Sequence, residues 1–197
     1  MSLTPLQRAA AYSVAFPDYP PLFADARWLH GIWIMGQNYR SRSGFYGSYP
    51  PGYLTRVLSL FDDYRDECVL HPFAGSLTAD PHPDFGPACR VDLNPERQAD
   101  FTADVTAMPF DDGEFSLALA DPPYTEKEAK EQYGVPMVDR RKALREVARV
   151  VRKGGQIVWL DTMFPMFSKE LLHWWGMVGM VRSTNHRVRG VFMFERV

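Results

Sequence analysis

From residue 69 onward the chain alternates apolar runs with polar and turn-forming punctuation. ECVLHPF, CRVDLN, FSLALAD and QIVWLD are short apolar runs that each end in a polar or turn-forming residue, the pattern of strands buried on both faces of a parallel sheet. Between the last two, VDRRKALREVARVVRKGG repeats Leu144, Val147, Ala148 and Val151 at helical spacing over a basic exposed face, and Gly154 and Gly155 supply a stop. Strand, helix and strand of these lengths predict a right-handed parallel crossover. The end of the chain, MVGMVRSTNHRVRGVFMFERV, predicts two strands around a short polar connection and gives the sheet an antiparallel edge.

The first 60 residues break this pattern. Trp28, Trp33, Tyr39, Phe45, Tyr46, Tyr49 and Tyr53 crowd near Arg27, Arg40 and Arg42, prolines are frequent, and only YLTRVLSLF (53 to 61) is helical in period. Residues 1–52 therefore read as an extension packed on the sheet and 53–197 as the core of one domain.

Composition agrees with a single domain: 197 residues, 46% apolar and 14% aromatic, supply one ordinary core. No run approaches the roughly 20 apolar residues of a membrane span. The start MSLTPLQRAAAYSVAF lacks the basic, apolar and cleavage regions of an export signal, so the expectation is a cytoplasmic protein with no membrane partner. Cys68 and Cys89 have no redox or metal-cluster spacing and read as reduced, buried thiols, with no metal expected.

The net charge of -2 conceals an asymmetry: residues 61–131 hold 17 acids against 5 bases, whereas 137–197 hold 12 bases against 5 acids. An acidic middle between basic ends suits a small cationic ligand at the centre and a polyanion approaching from outside, although solvated helix faces give the same totals.

The chemistry concentrates at the strand ends. HPFAGS (71–76), Asp92, Asp104 in TADVTAMPF, and DPPY (121–124) each follow an apolar run. In an open parallel sheet ligands sit beyond the carboxyl ends of the strands, so these segments converge on one cleft. Each acid alone reads as a cap or turn residue; their succession points to a site.

These motifs resemble the class I S-adenosylmethionine-dependent methyltransferases. DPPY is similar to the signature of enzymes that methylate exocyclic amines, N6 of adenine or N4 of cytosine in DNA, with relatives acting on RNA and protein amides. GFYGSYPPGYLTRVLSLF resembles the segment these enzymes place, here through Tyr49, against the methionine end of the cofactor. The resemblance covers residues 44–197. It implies a Rossmann-like α/β fold whose mostly parallel seven-stranded sheet has an antiparallel C-terminal edge strand. It also implies S-adenosylmethionine as cofactor, held along His71, Pro72, Phe73, Ala74 and Gly75. Asp92 and Leu93 would lie at its ribose, and Asp104 and Val105 at its adenine.

The same resemblance assigns catalysis to Asp121, Pro122, Pro123 and Tyr124. An exocyclic amine is a poor nucleophile because its lone pair is delocalised into the ring. The Asp121 carboxylate and the Pro122 carbonyl can each accept one of its N–H groups and so localise that pair. Proline suits the task because its φ is preset and it has no N–H. Tyr124 would stack on a base taken out of the duplex.

The chain departs from the family pattern in two places. His71 stands where the family carries an acid and reads as a core histidine, and Leu77 replaces a glycine. Pro81, Pro83, Gly86 and Pro87 lie between Ser76 and Ala88, so no full crossover helix forms there. At most one helical turn is expected at its start, and the helices of the cofactor half are shortened. Second, there is no length for a separate target-recognition region. Arg40 and Arg42 in NYRSRSGFYGSYP, and Asn185, His186 and Arg187 in RSTNHRVR, are the candidate nucleic-acid contacts. A homodimer or a partner subunit is the other source of recognition. DNA is the expected substrate; RNA or a small molecule, or an inert nucleic-acid-binding subunit of a larger complex, are the alternatives.

Overall fold

The computed structural model describes residues 2–36, 49–182 and 188–197. Arg40, Arg42, Asn185, His186 and Arg187 lie outside the described residues. In chain order the elements are α1 (Pro5–Ala15), β1 (Phe23–Ala24), β2 (Leu29–Met35), α2 (Tyr53–Leu58), β3 (Val69–Pro72), β4 (Ala88–Asp92), β5 (Phe101–Thr102), β6 (Phe115–Ala120), α3 (Glu126–Glu128), α4 (Arg140–Val150), β7 (Val151–Asp161), β8 (Leu172–Arg182) and β9 (Val188–Arg196).

The strands form one mostly parallel sheet in the order β1-β2-β8-β9-β7-β6-β3-β4-β5. From β3 the chain winds outward through β4 and β5, then returns to β6 and winds the other way to β7, all in parallel pairs. The order reverses between β3 and β6, which opens a crevice at their carboxyl ends.

Two expectations are corrected. Nine strands are present among the described residues where seven were expected, and the antiparallel β9 is internal, between β7 and β8. The two additional strands come from the N-terminal segment, which does more than pack on the sheet: β2 pairs in parallel with β8 along its whole length, and β1 closes the edge; β9 is internal because it pairs with both β7 and β8.

Both faces of the sheet are buried at its centre. Leu117, Leu119, Val158 and Leu160 face one core cluster with Trp33 and Phe61, while Ala118, Ala120, Ile157 and Trp159 face the other with Leu144 and Val147 of α4. Continuous apolar runs such as FSLALA follow from this double burial, because neither alternate set meets water. The helix α4 is capped by Asp139, whose side chain accepts from Lys142 N. It ends at Val150, and the chain turns directly into β7. Gly154 and Gly155 therefore lie within β7 and do not stop the helix. Cys68 and Cys89 are free as expected, but both are only partly buried.

Between β3 and β4 no helix forms, not even a single turn. Side chains hold this segment instead. Arg90 Nη1 donates to Leu77 O at 3.0 Å, and Arg65 Nη1 donates to Asp84 O at 2.8 Å. Gly86 N donates to Arg65 O at 2.6 Å. The chains approach so closely there that a Cβ on Gly86 would stand 2.3 Å from Glu67 O, so only glycine fits.

Helix α1 begins with a capping box at Thr4 and Gln7 and is tied to the core by Arg8, 1% exposed. Its guanidinium pairs with Asp63 at 2.7 Å, donates to Leu60 O and lies 4.8 Å from the centre of the Phe61 ring. Removing one partner of such a pair leaves a buried charge uncompensated. Asp63→Ala is expected to cost about 3–5 kcal/mol, read as a lowered midpoint in urea unfolding.

Candidate active site at the carboxyl edge of the sheet

Tyr49 pins the crevice. The β3–β6 pairing ends at Leu70 and Ala118, and the next carbonyl, Leu119 O, accepts the Tyr49 hydroxyl proton at 2.6 Å. The same hydroxyl oxygen lies 3.2 Å from His71 Nδ1. Because the one phenolic proton goes to Leu119, His71 Nδ1 must be the protonated nitrogen and donate to Tyr49. His71 Nε2 then accepts from His82 Nε2, 3.0 Å away. His71 is wholly buried, and burial together with its neighbour His82 lowers its pKa to about 3. It is thus a neutral core histidine, and His82 anchors the irregular 73–87 segment to β3.

After Pro72 the chain turns sharply. Phe73 adopts φ 64° and Gly75 φ 54°, left-handed values that are rare for phenylalanine and natural for glycine. Ala74 N donates to Val91 O at 2.9 Å, and Gly75 N donates to Asp92 Oδ2 at 2.8 Å. The other Asp92 oxygen accepts from Asn94 N at 2.9 Å. The Asp92 carboxylate therefore joins the turn after β3 to the turn after β4, and Leu93 beside it is 40% exposed. Further out, the exposed Asp104 carboxylate accepts from the Thr106 amide and hydroxyl, each at 2.8 Å. The Val105 side chain is packed into the core beside α4.

Asp121 follows β6 directly, with Pro122 buried behind it. The Tyr124 hydroxyl donates to Asp121 Oδ1 in a short hydrogen bond. Burial raises the Asp121 pKa to about 7, against the opposing influence of the Arg189 cation and the Tyr124 bond. Arg189 Cζ lies 4.5 Å from the centre of the Tyr124 ring, within cation–π range. Tyr53 and Tyr133 also feel the Asp121 charge; Tyr133 is pushed up to about 12, chiefly by burial. The Tyr53 hydroxyl and Arg189 Nε are buried, and among the described residues neither has a hydrogen-bond partner. The cleft thus presents one carboxylate, a donor hydroxyl and a guanidinium within an aromatic wall.

The DPPY turn is held from below. Asp161 ends β7 wholly removed from solvent. It pairs with Arg140 Nε at 2.7 Å and accepts from Trp159 Nε1 and Thr162 N. Arg140 Nη2 donates to Pro123 O at 3.1 Å and to Tyr124 O at 2.9 Å. Arg140 opens α4, whose basic face was expected to be solvated; this arginine turns inward instead. A second strap comes from residues 125–133, where the Tyr133 carbonyl accepts from Asn94 Nδ2 at 2.9 Å and the Gln132 carbonyl from Arg97 Nη2 at 3.2 Å.

The structure therefore brings together Tyr49, His71, Pro72, Phe73, Ala74, Gly75, Asp92, Asp121, Pro122, Pro123 and Tyr124 around the β3–β6 crevice. Asp104 lies further along the same edge, beyond β5. His82, Tyr53, Tyr133, Arg140, Asp161 and Arg189 were not singled out from sequence. Asp161 had a legible signal, an acid at the end of QIVWLD, and Arg189 closes the basic stretch RSTNHRVR.

Two variants test this construction. Arg140→Met strands the buried Asp161 carboxylate and is expected to lower stability by about 3–5 kcal/mol in urea unfolding. Asp121 has a folded pKa near 7 against an ordinary value of 3.8, so the folded state binds the proton more tightly and loses stability as pH rises through that window. Asp121→Asn removes the ionisation, and relative to wild type it is expected to gain roughly 1–3 kcal/mol between pH 5 and pH 8.

No protein-family profile matches this chain, and no curated protein matches it in sequence. Solved structures do match. The N-methyltransferase NodS from Bradyrhizobium japonicum WM9 is 12% identical over 72% of this chain and 93% of its own, with a TM-score of 0.50. A SAM-dependent methyltransferase from Methanosarcina mazei is 12% identical over 70% of this chain and 97% of its own, with a TM-score of 0.49. The YcgJ protein of Bacillus subtilis is 21% identical, but the match spans only 49% of this chain and 44% of that one, with a TM-score of 0.33. At these identities the likeness is one of fold, and together with the strand order it identifies the architecture as that of the class I S-adenosylmethionine-dependent methyltransferases.

Proposed function

We propose that this protein is an S-adenosylmethionine-dependent methyltransferase acting on an exocyclic amino nitrogen of a DNA base, N6 of adenine or N4 of cytosine. The observation that carries this reading is the Asp121 carboxylate. It lies at the carboxyl end of a central strand, beside the strand-order reversal, with an aromatic ring hydrogen-bonded to it and a clamp that fixes the turn. The resemblance of DPPY to amino-methyltransferase signatures supports the choice of substrate.

The residues present fit the cofactor. The left-handed turn at Phe73–Gly75 lies at the crevice, and Asp92 stands at the end of β4 between that turn and Asn94. Phe73 to Gly75 and Asp92 would hold it, with Tyr49 bracing the turn from behind. When bound, it supplies an electrophilic methyl group on a sulfonium centre.

The chain's own residues do the rest. Ionised Asp121 accepts one N–H of the amine, and the Pro122 carbonyl accepts the other, so the nitrogen lone pair is turned out of the ring plane. Methyl transfer to the amine would leave positive charge on its nitrogen. Asp121, with a pKa near the working pH, is suited to take the proton that must leave. Tyr124 offers the ring on which the base stacks, and Arg140 keeps the carbonyls of Pro123 and Tyr124 from drifting.

The test is transfer of labelled methyl groups to duplex DNA, single-stranded DNA and RNA, followed by nucleoside analysis of the product. The expected product is a methylated exocyclic amine in DNA. Label in RNA alone, or in none of the three, overturns the reading. The rate is expected to rise with pH through about 7 as Asp121 ionises. Asp121→Ala is expected to lower it about 10²–10⁴-fold with the circular dichroism spectrum unchanged.

A further inference from the structure

Two arginines at the carboxyl edge of the sheet form no salt bridge among the described residues. Arg182 ends β8 and Arg189 lies at the start of β9, both on the edge of the sheet that carries Asp121. Strand register places Arg189 opposite Met180, two residues before Arg182. Residues two apart on a strand, and residues directly opposite across a pair, share a face, so both side chains rise from the same face of neighbouring strands. Arg182 is shifted down by burial and by the Arg189 charge, with Tyr124 opposing.

Several other arginines of this protein are matched by acids, while the buried Arg56 lies 4.3 Å from the centre of the Tyr19 ring and Arg196 donates to the Arg149 and Val151 carbonyls. Arg8 pairs with Asp63, Arg90 with Asp100, Arg140 with Asp161, and Arg149 with Glu146 and Asp112. Among the described residues, neither Arg182 nor Arg189 forms a salt bridge, and Arg189 Nε is buried without a hydrogen-bond partner. The acid that Arg189 does sense, Asp121, already receives the Tyr124 hydroxyl. Two half-buried like charges on one face are unfavourable by themselves and become favourable when an anion sits between them. The planar guanidinium fork matches two oxygens of a phosphate at once, which an ammonium does not.

We propose that Arg182 and Arg189 form an anion cradle that takes a backbone phosphate of the DNA strand carrying the target base. This rests on the reading of Asp121 to Tyr124 as an amino-methylating site and narrows it. The reacting base reaches Asp121 as part of a strand, with its neighbouring phosphate fixed a short distance away, and a free base or nucleoside lacks that anchor. Phosphate contacts of this kind set register and orientation and leave the reading of the base to the cleft.

The experiment compares wild type with Arg182→Gln and Arg182→Lys on a single-stranded oligodeoxynucleotide across a series of salt concentrations. Methyl transfer gives KM and kcat, and fluorescence anisotropy gives binding of the same labelled strand without any need for catalysis. Arg182→Gln is expected to raise KM and the dissociation constant about tenfold or more with little change in kcat. It should also make the slope of log affinity against log salt shallower by about 0.7, the value for one phosphate contact on a single strand. Arg182→Lys should restore the slope while recovering only part of the affinity, because the charge returns without the fork. An Arg182→Gln protein that is folded by circular dichroism yet keeps the wild-type slope and dissociation constant overturns the cradle. Failure of wild type to methylate DNA would instead overturn the proposed function, and the anisotropy arm would still decide whether the cradle binds a strand.

Discussion

The Asp161 carboxylate ends the central strand β7 with no solvent contact, and an anion in that position must be paired and hydrogen-bonded to be tolerated. Arg140 supplies the pairing, and the geometry of a guanidinium means that its remaining N–H groups point elsewhere. They point at the carbonyls of Pro123 and Tyr124. One buried charge pair therefore joins β7, the start of α4 and the DPPY turn. The position of Asp121 follows from it, since Asp121 lies between β6 and a turn whose carbonyls are already committed.

The opposite wall of the crevice is built differently. Where a crossover helix would normally brace the turn after β3, the prolines between Ser76 and Ala88 prevent one. Its place is taken by a set of long-range side-chain contacts. Tyr49 bonds to Leu119 and His71, His82 to His71, Arg90 to Leu77, and Arg97 to Ser76 at 3.3 Å. Neutral histidines suit this role because a shared Nε2 contact admits one proton, and burial keeps the second away.

Much of this was legible in the sequence where local pattern and tertiary environment coincide. FSLALA and QIVWL are apolar throughout because both faces of the central strands are covered, and the acids at their ends fall where such strands must stop. The strand LHGIWIM was not legible. Its buried set, Leu29, Trp33 and Met35, alternates properly, but the outward Ile32 and Ile34 are 61% and 63% exposed and still apolar. With no polar residue marking the solvent side beyond His30, the period of two disappears, and the segment passes for part of an aromatic extension.

Sequence by itself determined the order of strands and helices in the core, the absence of a helix between β3 and β4, and the placing of DPPY after a buried strand. Those features depend on backbone hydrogen bonding and side-chain period, which neighbouring residues dictate. Only the tertiary structure decided the state of the site: a carboxyl group at Asp121 poised near pH 7, His71 neutral against His82, and Arg189 lying over Tyr124 from 65 residues away. Ionisation and cation–π contact depend on what surrounds a group in space, and the chain sets those surroundings by closing segments that share no local pattern.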